Sequence, residues 1–166
     1  RRRDVAGDWD LLGRPVLVID AHIETPTLTC HFQCEDRPGL ADVLAGRTSF
    51  EQAVHETYVP DLFLLPAGNA SEDPAARHRR DAYDAVLQKA RAAYALTLVD
   101  TAGVMNQPDT QAIVSTVDDV LFVVRLYWSR RASVAAAIER IGSERVSGFI
   151  VNNTEYWLPE WLYRLV

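Results

Sequence analysis

An α/β fold, a mostly parallel central sheet with helices on both faces, is what this sequence predicts, and three observations predict it. Two apolar runs end in an acid: Val16–Ile19 runs into Asp20, and Leu96–Val99 runs into Asp100. Continuous apolar runs of this kind read as strands buried on both faces, the habit of parallel sheets. Strand-like and helix-like segments then alternate from Val16 to Asn152, which implies right-handed crossovers. The 166 residues are enough for one domain with a real core.

The elements follow in order. Residues Arg1–Leu12 are polar and begin abruptly; either the domain starts here or a β-α unit comes before. After the strand Val16–Ile19, His22–Glu35 reads as a loop or short helix. Pro38–Ala45 carries Leu40, Val43 and Leu44 at helical spacing and Gly46 as a stop. Ser49 and Gln52 form a capping box that opens a helix over Ser49–His55. Asp61–Pro66 is a strand, followed by a turn-rich loop. Pro74–Tyr94 is a long helix with Ala82, Val86, Ala90 and Ala93 on one face. Asp109–Val117 reads as a helix, Val120–Val124 as a strand, Ser133–Ile141 as a helix closed by Gly142, and Val146–Val151 as a strand ending at Asn152. In Glu155–Val166, Trp157, Leu158, Trp161, Leu162 and Leu165 share a helical face, either packed on the sheet or docking a partner or membrane surface. The expected segmentation is therefore 1–12, an α/β domain over 13–154, and an aromatic helix over 155–166.

Charge and composition narrow the function. A net charge of −6 argues against sequence-independent nucleic-acid binding. No apolar run approaches the length that spans a membrane, and the basic start is not followed by an apolar stretch, so it does not read as a signal peptide. Two cysteines, Cys30 and Cys34, give no disulfide framework, which suits a reducing, cytoplasmic setting.

Acids at the carboxyl ends of parallel strands face the crevice where open α/β sheets bind ligands. Neighbouring strands lie about 4.8 Å apart, so Asp20 and Asp100 could share a cation or water. The chemical reading is magnesium beside nucleotide phosphates; the plain one is that each acid caps a following turn or helix. Thr101 and Gly103 beside Asp100 supply the mobile backbone a phosphate-sensing loop needs. No G-x-x-x-x-G-K-[ST] loop occurs, and the sole lysine, Lys89, lies inside a helix. Cys30, His31 and Cys34, with His22 nearby, lack the second ligand pair a zinc site needs. His55-Glu56 has valine where a zinc-protease motif has its second histidine, and no G-x-S-x-G elbow is present. Asn69-Ala-Ser and Asn152-Asn-Thr match the glycosylation pattern by chance in a cytosolic chain.

Taken together, GRPVLVIDAHIETPTL, RPGLADVLAG, LFLLPAG, LTLVDTAG, DDVLFVVR and GFIVN, in this order and spacing, resemble the cytoplasmic domain of bacterial tyrosine kinases and polysaccharide co-polymerases. These belong to the deviant-Walker class of P-loop ATPases, which implies a P-loop NTPase-like α/β/α fold. The resemblance implies roles by position. Asp20 matches the first acid of the D-x-D-x-R motif, Asp100 the Walker B acid, and Asn152 an asparagine near the adenine. It also exposes departures: His22 stands for the second acid, Glu24 for the arginine and Gly103 for a proline, and the P-loop lysine has no counterpart. Imidazole is a poor magnesium ligand, and losing lysine and arginine removes the charge that offsets a triphosphate.

The expectation is a degenerate kinase-like regulatory or scaffold domain of exopolysaccharide or capsule export, with no catalytic residue of its own. Asp20, His22, Asp100, Thr101 and Asn152 then form a vestigial nucleotide site. ATP, with magnesium on Asp20 and Asp100, binds only if that site works. Partners would be another copy or a membrane-bound co-polymerase or kinase, placing the chain in the cytoplasm at the inner membrane face. The alternatives are an active tyrosine autokinase whose P-loop lies outside this sequence, phosphorylated at Tyr156 or Tyr163, and a relative of partitioning ATPases.

Overall fold

The computed structural model describes residues 14–69, 80–104, 108–125 and 128–152. The expectations for 1–12, for the start of the long helix and for the aromatic segment 155–166 lie outside them. The chain divides into two compact units, Arg1–Thr116 and Val117–Val166.

The first unit is built on a four-stranded sheet. The strands are β1 (Val16–Asp20), β2 (His55–Glu56), β3 (Leu62–Leu65) and β4 (Leu96–Asp100), in the order β2-β3-β1-β4. β1 pairs in parallel with both β3 and β4, and only the two-residue β2 runs antiparallel. β1 is the buried centre: Val16, Leu17, Ile19 and Asp20 are almost fully covered, as are Leu64 and Leu65 on β3. β4 departs from the expectation of burial on both faces. It is the end strand of the described sheet, and Leu96 and Leu98 stay 38% and 37% exposed.

Three short helices follow β1: α1 (Thr27–His31), α2 (Leu40–Leu44) and α3 (Phe50–Ala53). α1 closes in a Schellman motif. Cys34 N–H bonds to Thr29 C=O and Gln33 N–H to Cys30 C=O, with Gln33 at φ 56°. The predicted capping box opens α3: Ser49 Oγ accepts from Gln52 N–H and Gln52 Oε1 accepts from Ser49 N–H. The helix ends at Ala53, short of the expected His55. Residues 55–56 instead pair with β3, a polar two-residue strand with no apolar period to announce it. α4 (Arg80–Ala93) buries Tyr83, Val86, Leu87 and Ala90 and packs against α2 and α5 (Pro108–Val114). Ala93, expected on the buried face, is exposed; Tyr83 and Leu87 offer more apolar area, so the helix turns towards them. Lys89 Nζ reaches Glu51 at 3.0 Å and ties α4 to α3.

The second unit holds a parallel pair, β5 (Val120–Arg125) and β6 (Val146–Asn152), linked through α6 (Arg131–Ile141). Gly142 at φ 94° ends α6, as its position predicts. Leu121, Val123, Phe149, Ile150 and Val151 are about half exposed or more, and Phe122 rests on Phe149 with ring centroids 6.0 Å apart.

Candidate functional site

The site grows from the tip of β1. Asp20 and Asp100 are register partners on adjacent parallel strands, and Ala21 N–H bonds to Asp100 C=O at 2.8 Å. The two acids therefore stand side by side at the carboxyl edge, as the sequence implies.

Asp20 is completely buried, and its carboxylate is engaged by the chain that follows it. Thr29 N–H and Thr29 Oγ1–H both donate to Oδ2 at 2.8 Å, and His22 N–H donates to Oδ1 at 3.2 Å. Pro26, the residue at the helix N-cap position, has no side-chain acceptor to offer α1. Asp20 satisfies the orphan Thr29 N–H from nine residues away. The capping role considered for this acid is therefore filled here. Thr29 Oγ1 in turn accepts Ala67 N–H at 2.9 Å, so one hydroxyl joins β1, α1 and the turn after β3.

That turn is fixed by a second acid, which the sequence reading passed over. Asp42 Oδ2 accepts Gly39 N–H at 2.9 Å and Asn69 N–H at 3.1 Å, and Oδ1 accepts Arg47 Nε and Nη2 at 3.0 and 2.8 Å. Leu40 N–H and Ala41 N–H bond to the Pro66 and Ala67 carbonyls at 2.7 and 2.9 Å. A Cβ on Gly39 would strike the Pro66 carbonyl and the Gly68 nitrogen. The two glycine-containing motifs thus interlock backbone to backbone. Burial opposes ionisation of Asp42, yet the Gly39 N–H, the Arg47 guanidinium and the Asn69 N–H together hold its pKa below the ordinary carboxylate value. The signal for it in sequence is the acid three residues after Gly39, the N3 position of a capping box.

Asp100 differs from Asp20. It is exposed at the strand tip, but surrounding protein still desolvates its carboxyl. That burial, reinforced by the Asp20 charge and partly offset by His22, raises its pKa. His22 is half-buried, with its Nε2 hydrogen-bonded to Thr25 Oγ1 at 2.8 Å. Thr101 is half-buried just beyond, and the loop is held by Thr110 Oγ1–H donating to Ala102 C=O at 3.1 Å. Asp20, His22, Asp100 and Thr101 are therefore gathered at one sheet edge. Asn152 ends β6 in the second unit, where it is exposed.

Two carboxylates on register-paired strand tips invite a cation. Asp20 Oδ1 and the Asp100 carboxyl are the oxygens that could hold magnesium. Against that fit, Asp20, His22, Asp100 and Thr101 supply two carboxylates, an imidazole and a hydroxyl, and none of the four is an ammonium or guanidinium that would balance a triphosphate. Among the described residues no three His, Cys, Asp or Glu side chains converge for a metal, so Cys30, His31 and Cys34 form no zinc site.

Comparison with known proteins decides the lineage. No protein-family profile matches the sequence. EpsB of Ralstonia nicotianae, described as a candidate tyrosine-protein kinase, is 30% identical over 142 residues, 84% of this chain and 19% of its own length. ExoP of Rhizobium meliloti, a succinoglycan biosynthesis transport protein, is 31% identical over 153 residues, 86% of this chain and 19% of its own. The tyrosine-protein kinase YwqD of Bacillus subtilis is 28% identical over 142 residues, covering 84% and 60%. The chain is a homologue of the bacterial tyrosine-protein kinases. It spans about a fifth of the length of EpsB and ExoP. The kinase domain of Escherichia coli ETK superposes with a TM-score of 0.83 at 21% identity, over 93% of this kinase-related chain and 62% of that one. The fold is thus that of the P-loop kinase domains, as the resemblance implies. Among the described residues, no helix is long and apolar enough to cross a membrane.

Proposed function

We propose that this kinase-related chain is a regulatory or scaffold domain of an exopolysaccharide or capsule export system and does not itself transfer phosphate. The observation that carries the reading is the charge of the β1 tip. Asp20 is retained but spent on α1, while His22 and Glu24 occupy the positions of an acid and an arginine. ExoP supports the polysaccharide setting through its role in succinoglycan biosynthesis transport. The chain would work in the cytoplasm, joined to another copy or to a membrane-bound kinase or co-polymerase, with 13–154 as the working domain. Magnesium on Asp20 and Asp100, and nucleotide beside His22 and Thr101, belong to the ancestral site.

The test is intact-mass analysis of the intact protein after incubation with ATP and magnesium. The wild type is expected to gain no phosphate. Phosphate on the wild type, at Tyr156, Tyr163 or elsewhere, would overturn the reading.

A second reading has its own observation. β4 leaves one edge unpaired in the described sheet, with Leu96 and Leu98 exposed, its one charge at the Asp100 tip, and no lysine or proline to guard it. This chain covers only 62% of the ETK kinase domain. In an active autokinase, a strand from elsewhere in the polypeptide would pair with β4 and bring a phosphate-binding loop to the Asp20–Asp100 edge. Protection of the outward β4 amides in the intact protein, together with micromolar ATP affinity, would favour it.

A further inference from the structure

The turn between β2 and β3 presents Tyr58. Of the three tyrosines described, Tyr83 is buried and Tyr94 half-buried, whereas Tyr58 is 74% exposed. The turn itself is well built. Thr57 N–H and Oγ1–H both bond to Leu62 C=O, at 3.1 and 2.9 Å, and Val59 N–H bonds to Thr57 Oγ1 at 3.1 Å. The phenol ring leans on Phe32, centroids 5.4 Å apart, and Phe32 meets His31 edge-on at 5.2 Å. The Tyr58 hydroxyl lies 3.3 Å from His31 Nε2. An accessible tyrosine is thereby held in one orientation, its oxygen beside an imidazole nitrogen.

His31 is the last residue of α1, two positions after Thr29, which holds Asp20. A charge placed on Tyr58 would act on the helix that caps the β1 tip.

We propose that Tyr58 is a phosphoacceptor for a partner tyrosine kinase and that His31 holds the phosphate, clamping the β2–β3 turn onto α1. In the transfer, Tyr58 Oη attacks the γ-phosphorus of ATP bound to the kinase. The bond from that phosphorus to the β–γ bridging oxygen breaks, and ADP leaves. The phenolic proton passes to His31 Nε2. The resulting imidazolium donates to a phosphate oxygen, a charge-assisted bond that the neutral phenol cannot provide. The inference rests on the reading of a chain that does not itself transfer phosphate and is joined to a membrane-bound kinase.

The test has three arms: the protein isolated from its host, the intact protein with ATP and magnesium alone, and the same with the kinase domain of ETK added. Peptide mapping is expected to place phosphate on Tyr58 in the first and third arms, with the Tyr58→Phe variant losing that site. Amide exchange at Cys30 and Phe32, whose N–H groups bond to Pro26 and Leu28 within α1, should slow about threefold on phosphorylation, the scale of a partly exposed ion pair. His31→Ala should accept phosphate more slowly, having lost the proton acceptor, and without that slowing of exchange. Phosphate absent from Tyr58 in both the first and third arms overturns the acceptor site. Phosphate on Tyr58 with unchanged exchange overturns the clamp. Phosphate in the second arm overturns the reading of a chain without transfer activity, and its position still judges Tyr58.

Discussion

Replacing Thr29 by valine tests whether one hydroxyl holds the β1 tip together. The two side chains are nearly the same shape, and Thr29 is 3% exposed, so the change removes the oxygen and little else. Two hydrogen bonds go with it. Asp20 loses the Oγ1–H donor at 2.8 Å, one of three donors to a carboxylate with no solvent contact. Ala67 N–H loses its acceptor at 2.9 Å inside the core. A hydrogen bond to a charged group contributes about 1.5–3 kcal/mol, and a stranded buried donor costs about 1–3 kcal/mol. Partial relaxation and non-additivity reduce the sum, so the expected loss is about 3 kcal/mol. Urea unfolding at neutral pH measures it. Thr29→Ser keeps the hydroxyl and loses only a methyl group, so it should cost about 1 kcal/mol. A valine variant within about 1 kcal/mol of wild type, or a serine variant as damaged as the valine, would refute the reasoning.

The other predictions concern the two remaining acids and the glycine lock. Asp42→Asn should cost about 2–3 kcal/mol at neutral pH, because the amide turns a donor towards Arg47. The folded-state pKa of Asp42 is lowered, so its contribution is complete above the unfolded value of about 3.9 and fades as pH falls through the lower folded one. Urea midpoints of wild type and variant should therefore converge in acid and stay apart at neutral pH. Asp100→Asn should have the opposite sign. Its raised pKa marks a carboxylate that the fold disfavours, so the amide should stabilise by up to about 1 kcal/mol at neutral pH. That gain should vanish once acid protonates wild-type Asp100, and a loss of stability at neutral pH would contradict it. Gly39→Ala forces a Cβ into the Pro66 carbonyl and Gly68 nitrogen; a drop of about 3 kcal/mol in unfolding free energy is expected.

How much of this was legible beforehand depends on how local each signal is. The strands β1, β3 and β4, the capping box at Ser49 and the stop at Gly142 announce themselves within a few residues, because propensity and caps act over one or two turns. The Asp20–Asp100 juxtaposition was also legible, since parallel strands with acids at the same end must align them. β2 was not: His55 and Glu56 carry no apolar period, and only the neighbouring β3 backbone makes them a strand. The face of α4 was misjudged because alanines share a helical stripe without having the area to decide burial. The exposure of β4, β5 and β6 was missed because a continuous apolar run predicts burial and says nothing about which strands stand at an edge.

Thr29 and Asp42 were the deeper omissions, and both are polar groups whose partners are far away in sequence. Thr29 meets Asp20 across nine residues and Ala67 across 38; Asp42 meets Asn69 across 27. Their effect also explains why the kinase-like motifs persist together in a chain whose β1 tip carries His22 and Glu24. A carboxylate buried at the end of β1 is costly unless its donors stay in place, and here Thr29 of α1 supplies both donors to Asp20 Oδ2, with α1 itself fastened to the turn after β3. Phosphoryl transfer needs charges at the rim of this site, whereas folding needs the Asp20 and Asp42 carboxylates beneath it. The rim can therefore change while the frame is kept. On that logic, substitutions at His22 and Glu24 should alter nucleotide affinity with little change in stability, whereas substitutions at Thr29 and Asp42 should do the reverse, and a set of variants that moved both quantities together would show that rim and frame are not separable.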